Sequence, residues 1–336
     1  MTRRVVIVGG GLAGLGLGLA LRRNSVPVTI HEAGRYPRHR VCGEFITSLD
    51  KKTRQALGID RHLQGARTAT NVSWCEEGKP EISHRLPQAA LCLSRHALDA
   101  AMAEEFVTLG GELQTNSRAT FRDEAGIVHA GGRRPDPKSM WTGVKQHYHS
   151  LTLSNDLEVH FGHGGYMGLT KVDAQTVNVC GLLRRNRADL TKPLPEIARQ
   201  SGFHSLSERL AKAEPVEGSF CAVAGLNYEA GARSDDVLRI GDQRSLVPPF
   251  TGHGMTIALQ SAATALPHVL SWARGEIEWT EARKKTSAAQ RRRFGFRLRM
   301  ARAAHPIFLD PRARGLARSL HRLGVLPVSL LYRMMH

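Results

Sequence analysis

The chain lacks any run of eighteen apolar residues, so no membrane-spanning helix is expected. Its five cysteines, at positions 42, 75, 92, 180 and 221, form no C-x-x-C pair. That argues against a disulfide framework and a zinc site, and it fits a reducing, cytoplasmic setting. Proline-rich linkers are also missing, so any domains are expected to be joined by crossing strands rather than by a tether. Acids are scarce from residue 283 onward, where 14 Lys and Arg face the single Asp310. Most of the formal net charge of +17 therefore sits in the last part of the chain. At 336 residues there is enough sequence for a full core and for two domains.

What is present starts almost at once. Val5, Val6, Ile7 and Val8 are a buried parallel strand in type: four apolar residues, three of them valine. Gly9, Gly11 and Gly14 follow at the spacing G-x-G-x-x-G, and Leu12, Ala13, Leu15, Leu17, Leu19 and Leu21 continue as an apolar helix. In this pattern the first glycine makes the turn, the second lets backbone approach a pyrophosphate, and the third lets the helix pack on the strand. The phosphates rest on the free N–H groups of the helix start. A second strand is expected at 26–31, with Glu32 and Ala33 at its end, where an acid commonly holds a ribose hydroxyl. Strand, glycines, helix, strand and acid in this order predict an adenine dinucleotide site. Because glycines interrupt it, the apolar start is not a signal peptide.

Further on, residues 35–46 form a basic loop containing Arg40, Val41, Cys42, Gly43 and Glu44. The pattern predicts a helix capped by Ser48, antiparallel strands over 71–93, and a helix from Ser94 to about 109. A parallel strand at 112–116 and a small hairpin over 119–130 come next. Four antiparallel strands are expected at 143–149, 157–163, 166–172 and 176–183, then a helix over 196–213 and a strand at 237–240. His147, His149, His160 and His163 lie on these strands, but no acid or cysteine stands at ligand spacing, so no metal site is expected. A second signature closes the series: Gly241 and Asp242 at a strand end, a loop with Pro249, then Gly252, His253, Gly254 and Met255 opening a long helix. An acid at a strand end accepts hydrogen bonds from a polyol, and the helix start beside it favours an anion.

Together these stretches resemble the flavoproteins related to para-hydroxybenzoate hydroxylase, most closely their geranylgeranyl reductase-like branch. The resemblance runs from residue 2 to about 274. It implies an α/β protein: a Rossmann-type FAD-binding domain (1–70, 88–140 and 220–282), an inserted antiparallel β-sheet substrate domain (71–87 and 141–219) and a basic helical C-terminal segment (283–336). It further implies that Gly9, Gly11, Leu12, Ala13 and Gly14 take the FAD pyrophosphate and that Glu32 and Ala33 take the adenosine ribose. Asp242 takes the ribityl chain or pyrophosphate. Arg40, Val41, Cys42, Gly43, Arg95, Gly241, Pro249, Gly252, His253, Gly254 and Met255 complete the cofactor site. Arg95 has a second reading as an ion pair with Asp99 at i,i+4.

The departures narrow the chemistry. The stretch Ala130-Gly131-Gly132-Arg133-Arg134-Pro135 lacks the aspartate by which hydroxylases of this fold serve FAD and NADPH, and no second G-x-G-x-x-G occurs. Tight nicotinamide binding is therefore not expected; an external donor, NAD(P)H or a reduced electron carrier, would supply electrons. The W-x-W-x-I-P motif of flavin halogenases is also missing.

Catalytic candidates are Cys42, Glu44 and His253. The first is read alternatively as a buried cysteine, the second as an ion-pair partner of Arg38 or Arg40, and the third as a loop histidine bonded to backbone. Over 312–323, Ala313, Leu316, Ala317, Leu320 and Leu323 share one helical stripe, with Arg314, Arg318 and Arg322 off it. This stripe either docks on the protein's own body or, with 323–335, lies peripherally on an anionic membrane. Nucleic acid is not expected as a partner. The leading expectation is an FAD oxidoreductase acting on a hydrophobic, isoprenoid-, lipid- or polyketide-like substrate, by C=C reduction or related two-electron chemistry. Aromatic hydroxylation, and an electron-transfer subunit docking a redox partner, are the alternatives.

Overall fold

The computed structural model describes residues 2–322 apart from 121–123, 134, 188, 228–235, 245–246 and 250–251. In chain order it contains β1 (Val5–Val8), α1 (Leu12–Arg23), β2 (Val28–His31), β3 (Phe45–Ile46), α2 (Lys51–Leu57), β4 (Arg67–Glu76), β5 (Ile82–Cys92) and α3 (Arg95–Thr108). These are followed by β6 (Glu112–Gln114), β7 (Ile127–His129), β8 (Trp141–His149), β9 (Leu157–Phe161), β10 (Gly165–Lys171) and β11 (Val177–Arg184). The remainder comprises α4 (Leu194–Gln200), α5 (His204–Lys212), β12 (Glu214–Pro215), β13 (Cys221–Ala224), α6 (Gly254–Ala273), α7 (Trp279–Leu309) and α8 (Pro311–Arg322).

The opening strand, helix and strand form as their patterning requires, and β6-β2-β1-β7 make a four-stranded parallel sheet. Helix α1 is buried from Leu12 to Leu21 because α3 and α6 cover the faces that the sheet leaves open. Leu15, Leu17, Leu19 and Leu21 join Ile7, Ile30, Phe106, Leu259 and Val269 in one core. An all-apolar helix is stable in water only when enclosed in this way.

The second sheet runs β12-β8-β11-β10-β9-β4-β5-β3, with β13 also on β8. Every pairing in it is antiparallel except β4–β9, which is parallel. Strands β4 and β9 come from separate insertions and share no hairpin, so nothing imposes opposite directions on them. Strand alternation gives this sheet two unlike faces. On one face, Val144, Tyr148, Met167, Leu169, Val177 and Val179 share a core with Ile197 of α4, Leu206 and Leu210 of α5, and Phe203 between the two helices. The opposite face carries three aligned rows. Glu76, Phe161, Tyr166, Leu182 and Gly143 form the first; Trp74, Val159, Gly168, Cys180 and Lys145 the second; Val72, Leu157, Thr170, Asn178 and His147 the third.

Several expectations need correction. The hairpin over 119–130 is a single strand, β7, parallel to β1; its Ile127-Val128 run completes the buried sheet instead of folding back, and 121–123 lie outside the described residues. Helix α2 is capped by Asp50, whose carboxylate accepts the Thr53 N–H at 2.7 Å, and not by Ser48. Asp50 stands directly before the first turn and both oxygens serve the cap. The helix over 196–213 is two helices, divided at Gly202 with φ +83°. Residues 237–240 make one bridge, Arg239 to His129, not a strand.

No helix among the described residues is long and apolar enough to cross a membrane.

Candidate functional site

The two sheets and the C-terminal helices enclose one continuous cavity of about 1410 Å³. One end is built from backbone. Gly9 has φ +112°, and a Cβ there would lie 2.5 Å from the backbone of Ala130 and Gly131. A Cβ on Gly14 would meet the Gly9 carbonyl oxygen at 2.0 Å, so only glycine lets α1 seat against β1. Gly11 is different: a Cβ there meets nothing within 4 Å, because the residue faces the cavity. The start of α1 has no side-chain cap, which leaves its N–H groups turned to that space.

Glu32 is buried at the end of β2 and accepts from Gly10 N–H at 2.8 Å and Gly34 N–H at 3.0 Å. It therefore shapes the glycine loop while lining the cavity. Arg40 bridges Glu32 and Asp99, its Nη2 lying 3.3 Å from Glu32 and its Nε donating to Asp99 at 3.2 Å. Tyr36 donates its hydroxyl to the Gly10 carbonyl; burial, with Glu32 and Asp99 nearby, raises its pKa.

Opposite, Gly241 (φ +60°) donates its N–H to Ser261 Oγ at 2.8 Å and packs on Ala13. Asp242 follows on the cavity wall. Its carboxylate hydrogen-bonds none of the described residues, and burial lifts its pKa to about 6 against the opposing pull of Arg95 and Arg133. Pro249, Gly252, Gly254 and Met255 continue this wall into the start of α6.

Between the ends lies the loop that carries Arg40–Glu44, and the sheet holds it from behind. Asn178 donates to the Cys42 carbonyl at 2.9 Å, and Gly143 leaves room for Val41, which a Cβ would approach to 2.7 Å. Glu44 is fully buried. One oxygen accepts the Arg95 N–H at 2.9 Å and lies 3.6 Å from Lys145 Nζ; the other lies 2.6 Å from His147 Nε2. Lys145, also fully buried, places Nζ 2.7 Å from His39 Nδ1, and the His39 ring stacks on His96 at 4.2 Å. Burial lowers the pKa of Lys145 against the pull of Glu44, while burial and Lys145 take His39 down to about 4. The expected partners of Glu44, Arg38 and Arg40, instead face Glu32.

Cys42 lines the cavity; burial raises its thiol pKa despite the neighbouring Arg95 guanidinium, so it stays protonated. Arg95 combines its two readings: it lines the cavity and binds Asp99 through two bonds of 2.7 and 2.6 Å. Of the named candidates, only Gly14, Glu44 and His253 do not line the cavity. His253 is buried, and burial with Arg297 beside it lowers its pKa to about 3, so it is neutral.

The far end is made of side chains. Trp74, Phe161, Tyr166 and Phe308 line it together with Leu316 and Leu320 of α8. The basic tail is thus a cavity wall. Helix α8 docks on the body through Arg314 and Arg318, both buried, while Leu316 of the apolar stripe is 63 % exposed. Arg314 reaches Glu76 at 3.2 Å and the Phe308 carbonyl at 2.9 Å, and lies 5.2 Å over the Phe161 ring. Residues 323–335, and Leu323 of the stripe, lie outside the described residues. Sequence patterning missed Arg314 and Arg318 because arginines off an apolar stripe ordinarily face water; here Glu76 and a backbone carbonyl draw them inward.

Cys75, Glu158 and His160 place ligand atoms within 4.8 Å of one another. Glu158 already binds Arg209 at 2.8 Å and His160 at 2.7 Å.

No protein-family model matches the sequence, and no curated relative does. Solved structures do match. The flavin-dependent brominase Bmp2 superposes with a TM-score of 0.74 at 17% identity, over 98% of this chain and 92% of that one. PqsL, a probable FAD-dependent monooxygenase from Pseudomonas aeruginosa, gives 0.71 at 15% over 93% and 98%. A geranylgeranyl bacteriochlorophyll reductase-like protein from Thermoplasma acidophilum gives 0.71 at 14% over 91% and 88%. At these identities the likeness shows the fold alone, one that this chain shares with a flavin-dependent brominase, a probable FAD-dependent monooxygenase and a reductase-like protein.

Proposed function

We propose that the protein is an FAD-dependent oxidoreductase that acts on an apolar substrate, with C=C reduction as the leading form of its chemistry. The observation that carries this reading is the single cavity, with a dinucleotide cradle at one end and an aromatic chamber at the other. Two features fit FAD. The space beside Gly11 would be filled by any Cβ, and the Asp242 carboxylate is left without a donor among the described residues.

In this reading Gly9 and Gly14 set the backbone, Gly11, Leu12 and Ala13 hold the pyrophosphate on the α1 N-terminus, and Glu32 with Ala33 and Arg40 hold the adenosine ribose. Asp242 and Gly241 take the ribityl chain. Pro249, Gly252, Gly254 and Met255 bring the α6 N-terminus to the reactive ring, where its dipole favours negative charge by ~0.3–2 kcal/mol. Bound FAD supplies the hydride or oxygen chemistry. Val41, Cys42 and Gly43 would line the substrate side of that site, where Cys42, its thiol pKa raised by burial, would be the group able to hold a proton. Glu44 positions this loop through His147 and Lys145. His253 supports the Gly252–Gly254 turn from behind.

Aromatic hydroxylation, an oxygen insertion, is the second reading, favoured by the likeness to PqsL, a probable monooxygenase that has been crystallised with 2-aminobenzoylacetate. Either way an external donor, NAD(P)H or a reduced carrier, delivers the electrons. The decisive test is the cofactor itself: purified protein should show flavin absorbance and release FAD on denaturation. A colourless protein that takes up no added FAD would overturn the proposal. Pre-reduced enzyme that consumes a lipophilic alkene without oxygen supports reduction; an absolute need for oxygen supports the second reading.

A further inference from the structure

We infer that the α8 end of the cavity is an anion subsite, and that the substrate is an apolar molecule ending in a carboxylate held by Arg318. This deepens the proposed function, but the subsite itself stands on α8 and the β4–β5 hairpin. Arg318 is 8% exposed and lines the cavity, yet its only bond among the described residues runs from Nη2 to the Pro80 carbonyl. No carboxylate among the described residues pairs with it, and its other donors are not sealed in protein. Those donors open to the cavity, where a carboxylate would meet the planar fork with two parallel bonds.

The neighbouring charges do not supply that anion. Glu76 is taken by Arg314 and by Lys79 at 2.9 Å. Glu158 is held by Arg209 and His160, and Glu81 bonds Ser73 and Ser154. Arg314 makes the contrast. It sits one turn before Arg318 on the same face of α8 and is fully engaged by Glu76 and backbone. Between this basic rim and the Cys42 loop, Trp74, Phe161 and Tyr166 line the wall, so an acid head at Arg318 leaves an apolar body lying along the aromatic row.

The test uses the full chain as purified, its flavin content measured on each sample. Dodecanoic acid, methyl dodecanoate and dodecyl phosphate are titrated below their aggregation limits, with quenching of tryptophan fluorescence as readout and Trp74→Phe to assign the signal. Wild type should bind the acid at least tenfold tighter than the ester. Arg318→Met should abolish this preference and leave ester binding unchanged, while Arg318→Lys retains part of it and covers the case in which Arg318→Met fails to fold. Equal affinity for acid and ester, or a preference that survives Arg318→Met, overturns the subsite; tighter binding of the phosphate than of the acid overturns the carboxylate assignment. Yellow protein without the preference sinks the subsite alone, and colourless protein that keeps it sinks the flavin reading alone.

Discussion

The two ends of the cavity are built on opposite principles. At the α1 end the wall is main chain: helix starts, glycines without Cβ atoms, and one acid whose carboxylate is left open. At the α8 end it is side chains drawn from β4, β9, β10, α7 and α8, meeting only because the second sheet and the last helices bring them together. A backbone-built wall is intolerant of any side-chain atom, whereas a wall of side chains can be retuned one residue at a time. That difference sets a scale of expected effects.

The largest belongs to the glycines. Gly9→Ala combines a strained φ with a 2.5 Å clash against backbone, so it should cost about 3 kcal/mol or more and abolish flavin retention. Urea denaturation and absorbance check this; a stable, yellow variant would erase the contrast between the two ends. Next is the buried charge behind the Cys42 loop. Glu44→Gln leaves Lys145 and His147 without their anion and should destabilise by ~3 kcal/mol. The double replacement Glu44→Leu, Lys145→Met should recover much of that loss, and its failure to do so would mean the pair carries little of the loop's anchorage.

Asp242 offers a pH-dependent test. Its pKa is raised in the folded apo-protein, so this group favours the folded state at low pH and loses that contribution as pH rises through about 6. Asp242→Asn should therefore stabilise the apo-protein by ~1–3 kcal/mol at pH 8 and by little at pH 4. It should also weaken FAD binding about tenfold. Melting curves of apo-protein at the two pH values decide it, and a pH-independent difference would place the raised pKa elsewhere.

At the other end the effects shrink. Trp74→Ala should leave FAD content unchanged while lowering affinity for apolar ligands about tenfold, measured by perturbation of the flavin spectrum. Leu316→Gln, at an exposed position, should shift stability by less than ~0.5 kcal/mol in a thermal melt.

How much could be seen in the sequence follows the same division. The positions of Gly9, Gly11, Gly14 and Glu32 were legible because each lies within a few residues of a strand end, where spacing is geometry, whereas Gly241 and Asp242 follow a single bridge at Arg239. Legible too were the four mid-chain strands, whose alternation reports a sheet with two faces. The hairpin over 119–130 was misplaced because polar residues around Gly126 look like a turn, and only the sheet explains why Ile127-Val128 joins β1 instead. Capping by Ser48 yielded to Asp50 for a similar reason: both are good caps, and the better-placed oxygen wins. Glu44 exposes the deeper limit. Its nearest cations in sequence are Arg38 and Arg40, yet it binds His147 and Lys145, about a hundred residues away, because loop and sheet close on each other. Arg318 is harder still, since its value lies in what does not pair with it.

Helix α8 follows every other cavity wall in chain order. During synthesis the sheets, the glycine loop and the start of α6 are made before the residues that complete the far end. Domains assemble as they emerge, at about 5–20 residues per second. The growing protein therefore passes through a stage in which the cavity is a groove, open on the side that α8 later covers. Once Arg314 and Arg318 clasp the β4–β5 hairpin, that side shuts. The far wall is then the last part of the cavity to be made, set by the chain's own order of manufacture.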